Sequence, residues 1–150
     1  MINLTVYKLE LVKEKSGKYD LSKRISSPDD AVAIAESVLK LSCATEEHLI
    51  LLTLSTKNDV TGVFTVAQGS LNASIVHPRE IFKRAIVNNA NKIIILHNHP
   101  SGDPTPSQED LSITKKVREG GELLSIPLLD HIIVGDGEAY SIIGEAQFQF

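Results

Sequence analysis

The alternation of apolar and polar positions divides this chain into short strands and amphipathic helices. Residues 4–12 are apolar and β-favouring and run into Ser16-Gly17, a turn signal, which predicts an N-terminal strand or hairpin within residues 1–25. Ser27-Pro28-Asp29-Asp30 then announces a helix. Ser27 suits the N-cap, Pro28 the first helical position, and the acidic pair the positive end of the dipole. Val32, Ala35, Val38 and Leu39 recur at helical spacing, so this helix should bury one face to about Leu41. The run HLILLTL at residues 48–54 has the length and composition of a strand, and Asn58-Asp59 turns the chain into a second strand over residues 60–68. A short stretch at 72–76 leads to His77-Pro78, which opens a helix with Ile81, Phe82, Ala85 and Ile86 on its apolar face. Residues 92–96 (KIIIL) read as a buried strand that ends at His97 and His99. A Gly/Pro-rich loop follows, then a helix from Ser107 to about Glu119, expected to stop at Gly120-Gly121. Residues 128–134 and 139–143 flank Gly135-Asp136-Gly137 and read as a closing hairpin. Helices alternate with strands, yet hairpins occur too, which predicts an α/β domain with a mixed sheet and flanking helices.

Composition narrows the picture. With 150 residues the chain should form one domain, and with no tryptophan and one methionine its core must rest on Ile, Val, Leu and Ala. Cys43 is the sole cysteine, which excludes an internal disulfide and fits a reducing compartment. No apolar run approaches the roughly 20 residues of a membrane span, and the N-terminus lacks the form of a signal peptide. The expected location is therefore cytoplasmic, with no membrane partner. A net charge of −4 disfavours a nucleic-acid module, which would normally show a basic face. The oligomeric state stays open, a homo-oligomer included.

Chemistry is concentrated between residues 97 and 110. Residues i and i+2 of a strand share a face, so His97 and His99 can turn their rings toward one cation. Asp110, in the first turn of the next helix, can supply an oxygen ligand if the loop folds that turn back over the strand end. Two imidazoles and one carboxylate leave a fourth position for water, as expected of a catalytic zinc. Plainer readings compete. Ser107-x-x-Asp110 is also a capping box, and two histidines at a strand end are ordinarily just polar residues. The string His-Asn-His is not the dispersed motif of HNH nucleases. A non-haem iron triad shares the ligand types, but usually has its second histidine distant in sequence. Zinc deaminases need a Pro-Cys-x-x-Cys that this chain lacks. His77, Arg79, Asp130 and His131 are polar residues at helix starts or within apolar strands, read first as capping or satisfied buried groups. Asp130 and His131 are alternatively candidates to orient a metal ligand from behind. Lys115, Lys116 and Arg118 form a basic face, placed by this reading near a helix C-terminus and explained by its dipole.

His97-x-His99-Pro100, then Ser107-x-x-Asp110, resembles the JAMM (MPN-plus) metalloprotease motif. The longer text is similar to the RadC family of bacterial JAB-domain proteins. It comprises Asn72-Ala73-Ser74, His77-Pro78-Arg79-Glu80, His97-Asn98-His99-Pro100-Ser101-Gly102-Asp103-Pro104 and Leu129-Asp130-His131-Ile132-Ile133-Val134-Gly135. The similarity runs from about Ser26 to the C-terminus, leaving residues 1–25 as an extension and 26–150 as a JAB/MPN domain. It implies a cytidine-deaminase-like three-layer fold, with Zn2+ held by His97, His99 and Asp110. It also implies that Ser107 helps stabilise a tetrahedral intermediate during peptide or isopeptide hydrolysis. The motif's general base is a glutamate just before a strand, for which Glu47 is the matching position and Glu46 its neighbour. Two features depart from the pattern. Asn98 stands where eukaryotic JAMM isopeptidases carry Ser or Thr, and the chain is too short for the helix-hairpin-helix-like half usual in RadC proteins. Two alternatives remain beside the hydrolase: a RadC-like nucleic-acid-associated metalloprotein, disfavoured by the acidic charge, and a metal-binding adaptor without turnover.

Overall fold

The computed structural model describes residues 1–69 and 76–150, so the resemblance at Asn72-Ala73-Ser74 lies outside the described residues. Among the described residues three α-helices and six strands follow one another as α1 (Pro28–Leu39), β1 (His48–Leu54), β2 (Val60–Gln68), α2 (Pro78–Val87), β3 (Lys92–Asn98), α3 (Gln108–Leu124), β4 (Leu128–Val134), β5 (Glu138–Ser141) and β6 (Ala146–Gln149). The strands form one sheet in the order β2-β1-β3-β4-β5-β6. Neighbours are antiparallel except β3 and β4, which run parallel and are joined through α3. The fold is thus the mixed α/β architecture that the apolar pattern and the family resemblance both anticipate.

Strand parity builds the layers. Ile50, Leu52, Leu54, Ile94 and Leu96 pack with Ala31, Val32 and Ala35 of α1. The intervening Leu49, Leu51, Ile93 and Ile95 pack with Ile81, Phe82 and Ala85 of α2 and with Ile113 and Val117 of α3. Helices cover both faces of the central strands, which explains why β1 and β3 read as unbroken apolar runs rather than alternating ones. At an order of 1.5–3 kcal/mol for each large side chain buried, these two clusters are the main source of the fold's stability.

Four local expectations need correcting. The strand or hairpin sought in residues 1–25 does not form: among the described residues, this segment's sole bridge joins Arg24 to Asp59. The cause is visible in the sequence, since residues 13–24 are mostly charged or polar and offer no second apolar strand to close a hairpin. Helix α1 ends at Leu39, where Lys40 adopts the left-handed conformation (φ 51°). Helix α3 does not stop at Gly120-Gly121 but runs on to Leu124. A Cβ on Gly121 would lie 2.5 Å from the Ile126 carbonyl oxygen, so this glycine permits close packing instead of ending the helix. Lys115, Lys116 and Arg118 are consequently exposed in mid-helix, and the dipole does not account for them. No helix among the described residues is long and apolar enough to cross a membrane.

Candidate metal centre

β3 and the first turn of α3 meet at one point. Parity turns His97 toward the helix layer that contains α3, and the loop after β3 returns His99 to the same place. That loop is tied to the end of β4 by the His99 N–H donating to the Val134 carbonyl (2.9 Å) and the Asp136 N–H donating to that of Gly102 (2.9 Å). Gly102 takes φ 89° there, a conformation other residues rarely adopt. On the helix side a reciprocal capping box fixes Asp110. Its N–H donates to Ser107 Oγ (3.1 Å), and its Oδ2 accepts the Ser107 N–H (2.8 Å). Ser107 is therefore a cap, as the plainer reading held, and it is exposed beside the site.

His97, His99 and Asp110 each offer a ligand atom, and these atoms lie within 4.8 Å of one another. His97 Nε2 is 3.1 Å from Asp110 Oδ1, His99 Nε2 is 3.2 Å from Asp110 Oδ2, and the two Nε2 atoms are 3.1 Å apart. The hydrogen bonds behind them assign the tautomers. Thr114 Oγ1 donates to the Asp110 carbonyl (2.7 Å), so it must accept from His131 Nδ1 (2.6 Å). His131 is fully enclosed, and burial holds its pKa well below the ordinary histidine value, keeping it neutral. With Nδ1 protonated, its Nε2 accepts from His97 Nδ1 (2.8 Å). His99 Nδ1 donates to the Asp103 carbonyl (2.9 Å). Both ligand histidines thus have Nδ1–H groups engaged behind them, and their neutral forms point Nε2 lone pairs inward beside a carboxylate. Converging acceptors of this kind require a cation between them, either a proton or a metal ion. The donor set fits a divalent metal.

The electrostatics agree. Hydrogen bonding to Asp110 raises the His99 pKa against the opposing effect of burial, and the charge of Glu47 adds to the rise. Burial alone would raise the Asp110 carboxyl, but hydrogen bonds from His97 and His99 outweigh it and hold the group well below the usual range.

Glu47 reaches the site's edge from the segment before β1. Asn98, between the two histidines and 1% exposed, accepts the His48 N–H at Oδ1 (2.7 Å) and donates from Nδ2 to the Glu46 carbonyl (2.9 Å). The Gly69 N–H donates to the Glu47 carbonyl (2.9 Å), so the backbone around Glu47 is held from both sides. Glu46 is exposed, whereas Glu47 is half-buried and its charge is felt at His99. Of the two glutamates, Glu47 is the one whose charge registers at His99.

The other candidates divide. His131 stands directly behind His97. Asp130 instead accepts from Ser141 Oγ (2.6 Å) and from the N–H groups of His131 (2.8 Å) and Ile143 (3.1 Å), fastening β4 to the chain around β5. His77 and Arg79 are exposed at the start of α2 and are not among the converging ligand atoms. Sequence reasoning passed over Thr114 and the bracing role of Asn98. Thr114 lies four residues beyond Asp110, on the same helix face, and that spacing was the available signal.

A family model for the RadC-like JAB domain matches residues 25–147. This chain belongs to the RadC-like JAB domain family. Similar curated proteins include a UPF0758 protein of Shouchella clausii, 55% identical over 114 residues, covering 75% of this chain and 48% of that one. A UPF0758 protein of Desulfitobacterium hafniense is 50% identical over 119 residues, with 79% and 51% covered. One of Methanosarcina mazei is 49% identical over 123 residues, with 82% and 53% covered. The chain spans about half the length of the curated relatives it matches.

Proposed function

We propose that this RadC-like JAB domain is a metal-dependent hydrolase acting on peptide or isopeptide bonds, with zinc as its resident ion. The observation that carries the reading is the convergence of His97 Nε2, His99 Nε2 and the Asp110 carboxylate, with both imidazoles anchored from behind through Nδ1. When bound, zinc lowers the pKa of water toward ~7 and polarises a substrate carbonyl. The protein's own groups supply the remainder. Glu47 takes a proton from the attacking water at its carboxylate and passes it to the leaving amine. Ser107 Oγ, which accepts at the helix cap, keeps its own hydrogen to donate to the developing oxyanion. The acidic net charge supports a peptide over a nucleic acid as substrate.

The test is a peptide library drawn from a bacterial lysate, incubated with zinc-loaded protein and read by mass spectrometry for new N-termini. Wild type should generate them, while Glu47→Gln should retain zinc and generate at least 100-fold fewer, in keeping with loss of a general base. Equal cleavage by both proteins, or none by the zinc-loaded wild type, would contradict the proposal.

A further inference from the structure

Residues 2–12 form an arm without regular secondary structure, and the rest of the chain leaves all its large apolar side chains but Leu11 largely bare. As a strand, this arm would set Ile2, Leu4 and Val6 on one side and Tyr7, Leu9 and Leu11 on the other. Leu4 and Leu9 are each 81% exposed. Such a concentration of exposed apolar side chains marks an interaction surface. Across the molecule, β2 is an edge strand bonded on one side to β1. Its nine residues, VTGVFTVAQ, contain no charge and no proline. Edges that must stay unpaired normally carry lysine or proline or are very short, as β6 is here with four residues. The incoming chain touches this edge where Val60 N–H donates to the Lys23 carbonyl (2.8 Å) and Ile25 N–H to that of Asn58 (2.9 Å). It then parts from β2 and leaves a groove of about 1040 Å³, walled by Leu11, Tyr19 and Leu21 on one side and by Val60, Val63 and Phe64 on the other.

We propose that residues 2–12 of a second copy enter this groove and add a strand to the outer edge of β2, and that the exchange is reciprocal, giving a two-fold dimer. Arm and edge are complementary in length, and among the described residues of one chain each lacks the partner that the other supplies. The arm is apolar on both sides, which suits a strand laid against Val60, Val63 and Phe64 in the space that the neighbour's own Leu11, Tyr19 and Leu21 leave as its arm departs. The eleven residues between the arm and Arg24 can span up to ~36 Å, enough to reach a neighbour. The eleven arm residues and the nine of β2 together engage about 20 residues per copy, the lower end of an ordinary stable interface, and reciprocal exchange between identical copies closes the assembly at two chains. The inference is independent of the metal centre.

Light scattering on the full chain at micromolar concentration tests it, comparing wild type with a Leu4→Asp/Leu9→Asp variant. Both side chains are exposed in the single copy, so the variant's fold loses nothing. Wild type should have the mass of two 16.4 kDa chains, and the variant that of one. Thr65→Lys, at an exposed position of β2, should raise the dimer's dissociation constant at least tenfold, as should an excess of a synthetic peptide of residues 1–13. A wild type of one-chain mass at every concentration, including an arm folded onto its own β2, would overturn the proposal. So would a dimer indifferent to the arm substitutions.

Discussion

His97 presents Nε2 to His99 and Asp110 because its other nitrogen is committed, through His131 and Thr114, to a carbonyl that can only accept. The direction of the whole chain of hydrogen bonds is set by its last member, so Thr114 matters although it touches no ligand nitrogen. Thr114→Val keeps the shape and removes the hydroxyl, leaving a buried His131 N–H without its partner at a cost of about 1–3 kcal/mol. Zinc affinity should fall ~10–100-fold, the usual effect of losing a group that orients a ligand from behind. Competition with a chromophoric chelator measures it. Asn98 makes a comparable prediction on the other side. Removing a neighbouring negative charge favours loss of a proton, so Glu47→Gln should lower the pH midpoint of the cobalt-substituted protein's visible spectrum by about one unit. Asn98→Ala should shift it the same way by releasing the bracket around Glu47, and the two changes should combine less than additively. A midpoint that moves with Glu47→Gln but not with Asn98→Ala would reject the bracing role alone. The raised pKa of His99 sets a further pH dependence. Metal binding must displace that proton, so affinity should weaken as pH falls through the histidine range, by up to about tenfold per unit for each proton released. Affinity that stays flat between pH 5.5 and 7.5 would contradict this account of His99.

Helix α3 shows how an element can be read correctly in kind and wrongly in extent. Its start was legible because Ser107 and Asp110 have the spacing of a capping box, and the same residues place the carboxylate at the metal group. Its end was not, because a glycine pair signals a stop in sequence and a close approach in space with the same letters. Only the position of the Ile126 carbonyl distinguishes them. Gly121→Ala would gain about 1 kcal/mol in an isolated helix. Here the added methyl meets fixed backbone, and overpacking of that kind costs about 1–3 kcal/mol. The prediction is a net loss of stability in urea denaturation. A gain would mean that the turn after α3 yields easily. The strands fared better than the helix ends. Strands β1 and β3 were visible as apolar runs, since burial on both faces removes polar interruptions. The four-residue β6 is mostly exposed and left no such trace.

At the scale of the molecule, the site arises where the one parallel pair of the described sheet, β3 and β4, is joined through α3. Leaving β3 at its carboxyl end, the chain carries two histidines out of the core. Entering α3, it brings a carboxylate back to them. Parallel pairing then sets His131 of β4 beside Ile95, within reach of His97. The ligands were legible in the sequence because they lie within fourteen residues. The supporting contacts were harder to find because they join distant segments: His131 lies 34 residues from His97, and the backbone that Asn98 braces lies 50 to 52 residues from it. The central claim is that these converging groups exist to hold a metal ion. Elemental mass spectrometry on untagged protein, wild type beside His97→Ala/His99→Ala, tests it most directly. About one zinc per wild-type chain, absent from the variant, is the predicted result. Wild type that carries no stoichiometric metal after purification under metal-replete conditions would contradict it.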